Sequence, residues 1–191
     1  MNSVHQTYHC SYVVWNTHQR ITKEVAIEHV KELTSYSPAV TVHNKYVASP
    51  SEQSTTKDLD HPEELAIRSL ILGIVHRTLE DFTSSRAFLA DAYSHYSAVT
   101  DCKWVGGVSL FELAVLDLKE MEFREKSTKS NGDSVDFTSE WSQALKAASE
   151  AVDRAMSISG SSVDLSSRLD SRVNMLKDEI AIKREKLGLH S

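Results

Sequence analysis

His5, His9 and Cys10 are the first residues of this chain whose types suggest chemistry. A four-residue step sets the two imidazoles on one side of a helix, where a neighbouring thiolate would make them part of a metal site. A closed zinc site takes a full tetrahedral set of ligands, and no second cluster supplies the remainder, so these residues read as a frayed terminus. His76 lies within a long apolar run, where packing explains it better than base catalysis does. No serine stands in a nucleophile-elbow setting, and no glycine-rich phosphate loop follows a strand. The carboxylate pairs Glu63-Glu64 and Asp178-Glu179 read as solvated helix ends or faces. Gly106-Gly107 has two readings: an anion site near a helix start, or, more simply, close packing with a late helix start. The expectation is a chain with no catalytic residues, no cofactor and no metal.

Composition narrows the class. The 191 residues fit one domain with a sizeable core, and 40% hydrophobic with 25% charged residues is ordinary for a soluble globular chain. Six glycines and three prolines are too few for the many turns of an all-β sandwich. A formal net charge of −6 disfavours non-specific attraction to nucleic acid or to an anionic bilayer. Cys10 and Cys102 stand far apart in unrelated contexts. A disulfide stays open, although a reduced cytosolic chain is simpler. Residues Met1 to Gln6 lack the parts of a secretion signal. The longest unbroken apolar stretch, Leu70 to Val75 with Gly73 included, falls far short of a bilayer span. A soluble, cytoplasmic protein without a transmembrane segment is expected.

The elements that must position any site are helices. The chain is organised around Glu63 to Tyr96, read as two helices joined by the short turn Glu80-Asp81 and therefore lying side by side. Apolar residues crowd nearly the whole circumference of the first, so it needs cover on more than one side. Pro62 with Glu63 and Glu64 marks its start. Ahead of it, residues 1–34 form an N-terminal helical segment, although the β-prone Tyr12-Val13-Val14-Trp15 also suits a strand. Within that segment Thr22 caps a helix carrying Val25, Ile27, Val30 and Leu33. Residues 35–61, with Pro38, Pro50 and a polar run, read as a linker. The helical domain spans 62–191. After a connection at 98–103 comes a second long apolar helix from Trp104. A polar insert at 122–140 reads as a solvated loop. A helix from Trp141 ends near Ser159-Gly160, and a last amphipathic helix runs from about Asp164 through Leu169, Val173, Leu176 and Ile180 to Leu187.

Two hairpins repeat a pattern. Leu72-Gly73 is followed by Phe82, Ser85 and Ala92; Leu113-Ala114 is followed by Trp141, Ala144 and Ala151, with the same spacing inside each second helix. Small residues there let helix axes approach closely. This resembles the tetratricopeptide repeat, a helix–turn–helix unit of about 34 residues, although His76 and Asp117 stand where that motif has an aromatic and neither turn has its glycine. The stretches Leu72 to Leu79, Leu110 to Leu118 and Ser166 to Val173 resemble the C-terminal part of one family. It comprises animal tetratricopeptide repeat protein 39 and the fungal inclusion-body clearance protein, also called a mitochondrial outer membrane protein. Members are several times longer, so the resemblance implies a C-terminal portion, a truncated paralogue or an incomplete gene model. It also implies a role in inclusion-body clearance. The setting would be the cytoplasm, with peripheral association with mitochondria, their outer membrane or lipid droplets, or in the nucleus.

The fold class expected is all-α, an α-solenoid of tetratricopeptide-type antiparallel hairpins with a C-terminal capping helix. Solenoids bind proteins along the faces of their first helices. By position that face holds Leu70, Ile74, Arg77, Phe111, Val115 and Lys119, with Arg77 and Lys119 able to meet an acidic peptide or carboxylate. Against this stands a purely structural reading, in which the same residues pack under 165–187 and the chain only caps a longer array.

Overall fold

The computed structural model describes residues 21–42, 44–47, 58–130, 135–159 and 166–189, with side chains of the last helix described from Leu169 onward. Among these the architecture is all-α: α1 (Lys23–Thr34), α2 (Pro62–Thr78), α3 (Phe82–Ser94), α4 (Trp104–Ser130), α5 (Thr138–Ser159) and α6 (Ser166–Lys186). The expectations for His5, His9, Cys10 and Tyr12 to Trp15 lie outside the described residues.

Thr22 caps α1 as its type predicts, its hydroxyl accepting from the Val25 N–H. The buried stripe is Ala26, Val30, Leu33 and Thr34, however, and Val25 is 44% exposed. The apolar residues of this helix thus do not all share one face. The described parts of 35–61 lie against the helices that follow. Val40 is buried, Arg68 donates to the Tyr36 and Pro38 carbonyls, and Asn44 donates to Ser84.

Helix α2 starts with Pro62 at its first position and two acids in its first turn. Every residue from Ala66 to Arg77 is buried, because α1, α3 and α4 all pack on it. It ends in a Schellman turn: the Asp81 N–H bonds the His76 carbonyl and the Glu80 N–H bonds that of Arg77. Glu80 takes the left-handed conformation, φ 60°, that glycine usually fills. Asp81 then caps α3 by accepting from the Ser84 N–H at 3.2 Å. Close approach of α2 and α3 is built in at Gly73, where an added Cβ would lie 2.6 Å from Leu89 Cγ. Ser85, one turn earlier on α3, donates to the Gly73 carbonyl at 2.7 Å.

Helix α4 overturns the expected loop at 122–140. It runs unbroken to Ser130, and α5 begins at Thr138, so only residues near 135–137 of the described connection are non-helical. Composition suggested a solvated loop, but spacing decides. Lys119 pairs with Glu122 at i+3 and Glu125 with Lys129 at i+4, both favourable on a helix surface. Glu125 is further held by the Trp141 indole N–H at 3.0 Å and Lys183 at 3.3 Å. Hydrogen bonding from Lys129, Trp141 and Lys183 lowers its carboxyl to about 2.

Paired residues show that successive helices alternate in direction. Ser69 meets Asp91 while Gly73 meets Ser85; Arg86 meets Asp117 and Glu120 while Gly106 sits against Tyr96. Arg184 reaches Ser149 while Lys177 reaches Asp153. Consequently α4 and α6 run parallel, with Glu112 beside Arg172 and Glu125 beside Lys183. Trp141, Leu145, Ala148, Val152 and Ala155 make a buried seam on α5, and Leu169, Val173, Leu176 and Ile180 make one on α6.

Candidate functional site

The six residues assigned to a partner-binding face divide into two groups. Leu70, Ile74 and Phe111 are buried at 0%, 1% and 3% exposure, so they present no open surface in this fold. The reason at Phe111 is α6: the Arg172 guanidinium lies 4.5 Å above its ring centroid, in cation–π contact. Arg77 is also drawn inward. Its Nη1 donates to the Glu112 carboxylate at 2.5 Å and to the Glu112 carbonyl at 3.3 Å. Val115 is half-buried, and of the six only Lys119 is exposed.

Arg77 leads to residues that spacing did not single out. Glu112, 1% exposed, is clasped from opposite sides by Arg77 of α2 and by Arg172 of α6, the latter at 2.6 Å. Burial alone would raise its carboxyl. The Arg172 and Arg77 charges outweigh that and hold it at about 2. Two guanidiniums therefore share one carboxylate at the junction of three helices. A charged residue inside the apolar run Leu110-Phe111-Glu112-Leu113-Ala114 was the available signal for this cluster.

The open surface lies beside that junction. Helix α4 has 27 residues against 13 in α3, so by helix rise it is about twice as long and overhangs the α2–α3 turn. The step between the turn and the overhang is a cleft of about 800 Å³, with Arg77, Phe82, Lys119, Glu122, Phe123 and Lys126 on its walls. Phe82 and Phe123 meet edge to face at a centroid distance of 5.5 Å, yet Phe123 remains 47% exposed. Lys119 is neutralised by Glu122 at 2.8 Å, and Glu80 by Lys23 at 3.4 Å. Lys126 makes no ion pair among the described residues.

The remaining chemical candidates resolve into packing. His76 is fully buried, its Nδ1 3.2 Å from Asp81 and its ring stacked on Phe88 at 5.2 Å. Burial lowers its pKa, with Asp81 opposing. An added Cβ on Gly106 would run into the Tyr96 ring at Cδ2, which favours the close-packing reading of that glycine. Glu63 accepts from the Thr100 N–H and hydroxyl, tying the 98–103 connection to the start of α2. Burial raises the pKa of the half-buried Cys102, and Glu63 adds to the effect. Among the described residues no group of three His, Cys, Asp or Glu side chains is placed to hold a metal ion, and no helix is long and apolar enough to cross a membrane. No protein-family model, curated protein or solved structure matches the chain.

Proposed function

We propose that the chain is a non-catalytic protein-interaction module built from helical hairpins of the tetratricopeptide type, with α6 as its terminal cap. The observation that carries this reading is the layered order of the helices. Successive helices alternate in direction, α4 and α6 run parallel, and Gly73 against Leu89 draws the first hairpin tight. Stacked hairpins of this kind keep contacts between neighbours and build extended surfaces that meet partners. On the family resemblance, the module serves inclusion-body clearance in the cytoplasm, beside mitochondria or lipid droplets.

Proximity labelling in the host cell, with the full chain as the labelling fusion, tests the reading. A reproducible set of proteins should be labelled above the set obtained with a Leu116→Pro variant, whose central helix cannot form. Equal labelling by both overturns it. The same cells, depleted of the chain, should clear an aggregated reporter more slowly; unchanged clearance removes the inclusion-body role.

A second reading is favoured by one observation, the closure of Phe111 and Glu112 by Arg172. In it the chain only caps a longer helical array. Labelling confined to a single longer helical protein, in constant proportion, is the outcome that reading requires.

A further inference from the structure

We propose that protonation of His76 releases the segment 44–47 from the corner between α2 and α3, which makes that corner an acid-opened latch. The imidazole is fully buried, and one of its ring nitrogens is matched while the other, Nε2, has no partner.

The closed latch is one line of hydrogen bonds. His76 Nδ1 lies 3.2 Å from Asp81 Oδ2, Asp81 Oδ1 accepts from the Ser84 N–H, and Ser84 Oγ accepts from Asn44 Nδ2 at 2.8 Å. Asn44 also shapes the segment, its Oδ1 accepting from the Tyr46 N–H at 2.9 Å and its carbonyl from the Val47 N–H. That turn brings the Tyr46 ring to 6.2 Å from the imidazole, between centroids, while Phe88 of α3 stacks on it at 5.2 Å.

A carboxylate only accepts, so Asp81 places the neutral ring's proton on Nδ1. A second proton must go on Nε2, where it finds no acceptor and no water. Asp81 is the one charge that favours the imidazolium, and burial outweighs it. Other charges on the surrounding elements are engaged elsewhere: Lys23 of α1 with Glu80, Arg77 with Glu112, Arg86 of α3 with Asp117 and Glu120, and Lys45 over the Tyr46 ring. Relief therefore comes from water, and the cover that yields is 44–47. Phe88 is held within α3 at 2% exposure. The segment is non-helical, partly exposed and, among the described residues, hydrogen-bonded to the helices only through Asn44 and Ser84.

The open ring is hydrated and titrates at its ordinary 6.5, the closed ring below it, so acid favours the open form. Each pH unit between 6.5 and the closed-state midpoint raises the open fraction by up to about tenfold. Opening starts above pH 4.5, where Glu112 is still ionised in both states, so the junction of α2, α4 and α6 holds meanwhile.

An NMR titration of the full chain between pH 7.5 and 5 tests the latch. The Tyr46 ring and Val47 amide should shift with the same midpoint as the His76 ring, while amides of α4 to α6 stay in place. Closure and titration are coupled reciprocally. Tyr46→Ala, which removes a partly exposed cover, should therefore raise the His76 midpoint toward 6.5. His76→Phe should abolish the acid response of Tyr46 and Val47; if that variant does not fold, Tyr46→Ala decides alone. A static Tyr46 and Val47 while His76 titrates, or the same response in His76→Phe, overturns the proposal. So does an unchanged His76 midpoint in Tyr46→Ala, or loss of all native amide signals at one midpoint, which makes the event global unfolding.

Discussion

Replacing Glu112 by Gln removes one negative charge from between the buried Arg77 and the half-buried Arg172 guanidiniums and keeps the shape of the side chain. The two arginines are then like charges with a single amide between them. Breaking a buried ion pair by removing one partner costs about 3–5 kcal/mol, because the charge left behind is neither solvated nor matched. Proton linkage leads to the same order of magnitude. The Glu112 carboxyl moves from 4.5 to about 2 on folding, which corresponds to about 3 kcal/mol of linkage. The sign follows from the depressed value. The contribution is fully present above pH 4.5, where the carboxylate is ionised in both states, and is lost as pH falls from 4.5 toward 2. Urea unfolding followed by circular dichroism at pH 7, 5, 4 and 3 should therefore show two effects. Glu112→Gln is less stable at pH 7, and the difference between it and wild type shrinks below pH 4.5. Glu125 titrates in the same range but is present in both proteins, so it cancels. A loss below about 1 kcal/mol, or a difference between the proteins that does not change with pH, would refute the argument that Glu112 holds α2, α4 and α6 together.

Further predictions concern the first hairpin. Glu80→Gly relieves a left-handed residue at the end of α2 and should stabilise by about 0.5–1 kcal/mol; a lowered melting temperature would show that Glu80 is not strained. Gly73→Ala gains helix propensity but drives a methyl into Leu89, so a net loss of about 1 kcal/mol is expected, and a raised melting temperature contradicts the close approach. For His76, burial lowers the folded pKa below 6.5. The unfolded chain then takes up a proton that the folded chain refuses, so stability falls as pH drops below 6.5, until the folded value is reached. The His76 ring resonances should titrate with a midpoint below 6.5; a midpoint at or above 6.5 contradicts the burial argument.

Local physics made much of the fold legible. Thr22, Pro62 with its two acids, and the four- and three-residue steps from Leu169 to Ile180 each specify a helix end or a buried stripe by themselves, since caps and helical period act over a few residues. Composition misled where it was used in place of spacing. The polar stretch after Met121 is a helix because its charges pair at i+3 and i+4 and because Trp141 and Lys183 meet Glu125 from outside. Likewise no turn glycine marks the end of α2, because Glu80 takes the glycine's place; at the end of α6, Gly188 does mark it.

The sequence by itself determined the helical class of the described residues, the starts of several helices and most of the residues each helix buries, because those depend on neighbours along the chain. Only the tertiary structure decided which surface stays open. Leu70, Ile74 and Phe111 share a line with Lys119, but whether a line is core or surface depends on what another helix lays over it. Here Arg172, far away in sequence, closes one end of that line over Phe111. The unequal lengths of α3 and α4 leave the other end open at Phe123.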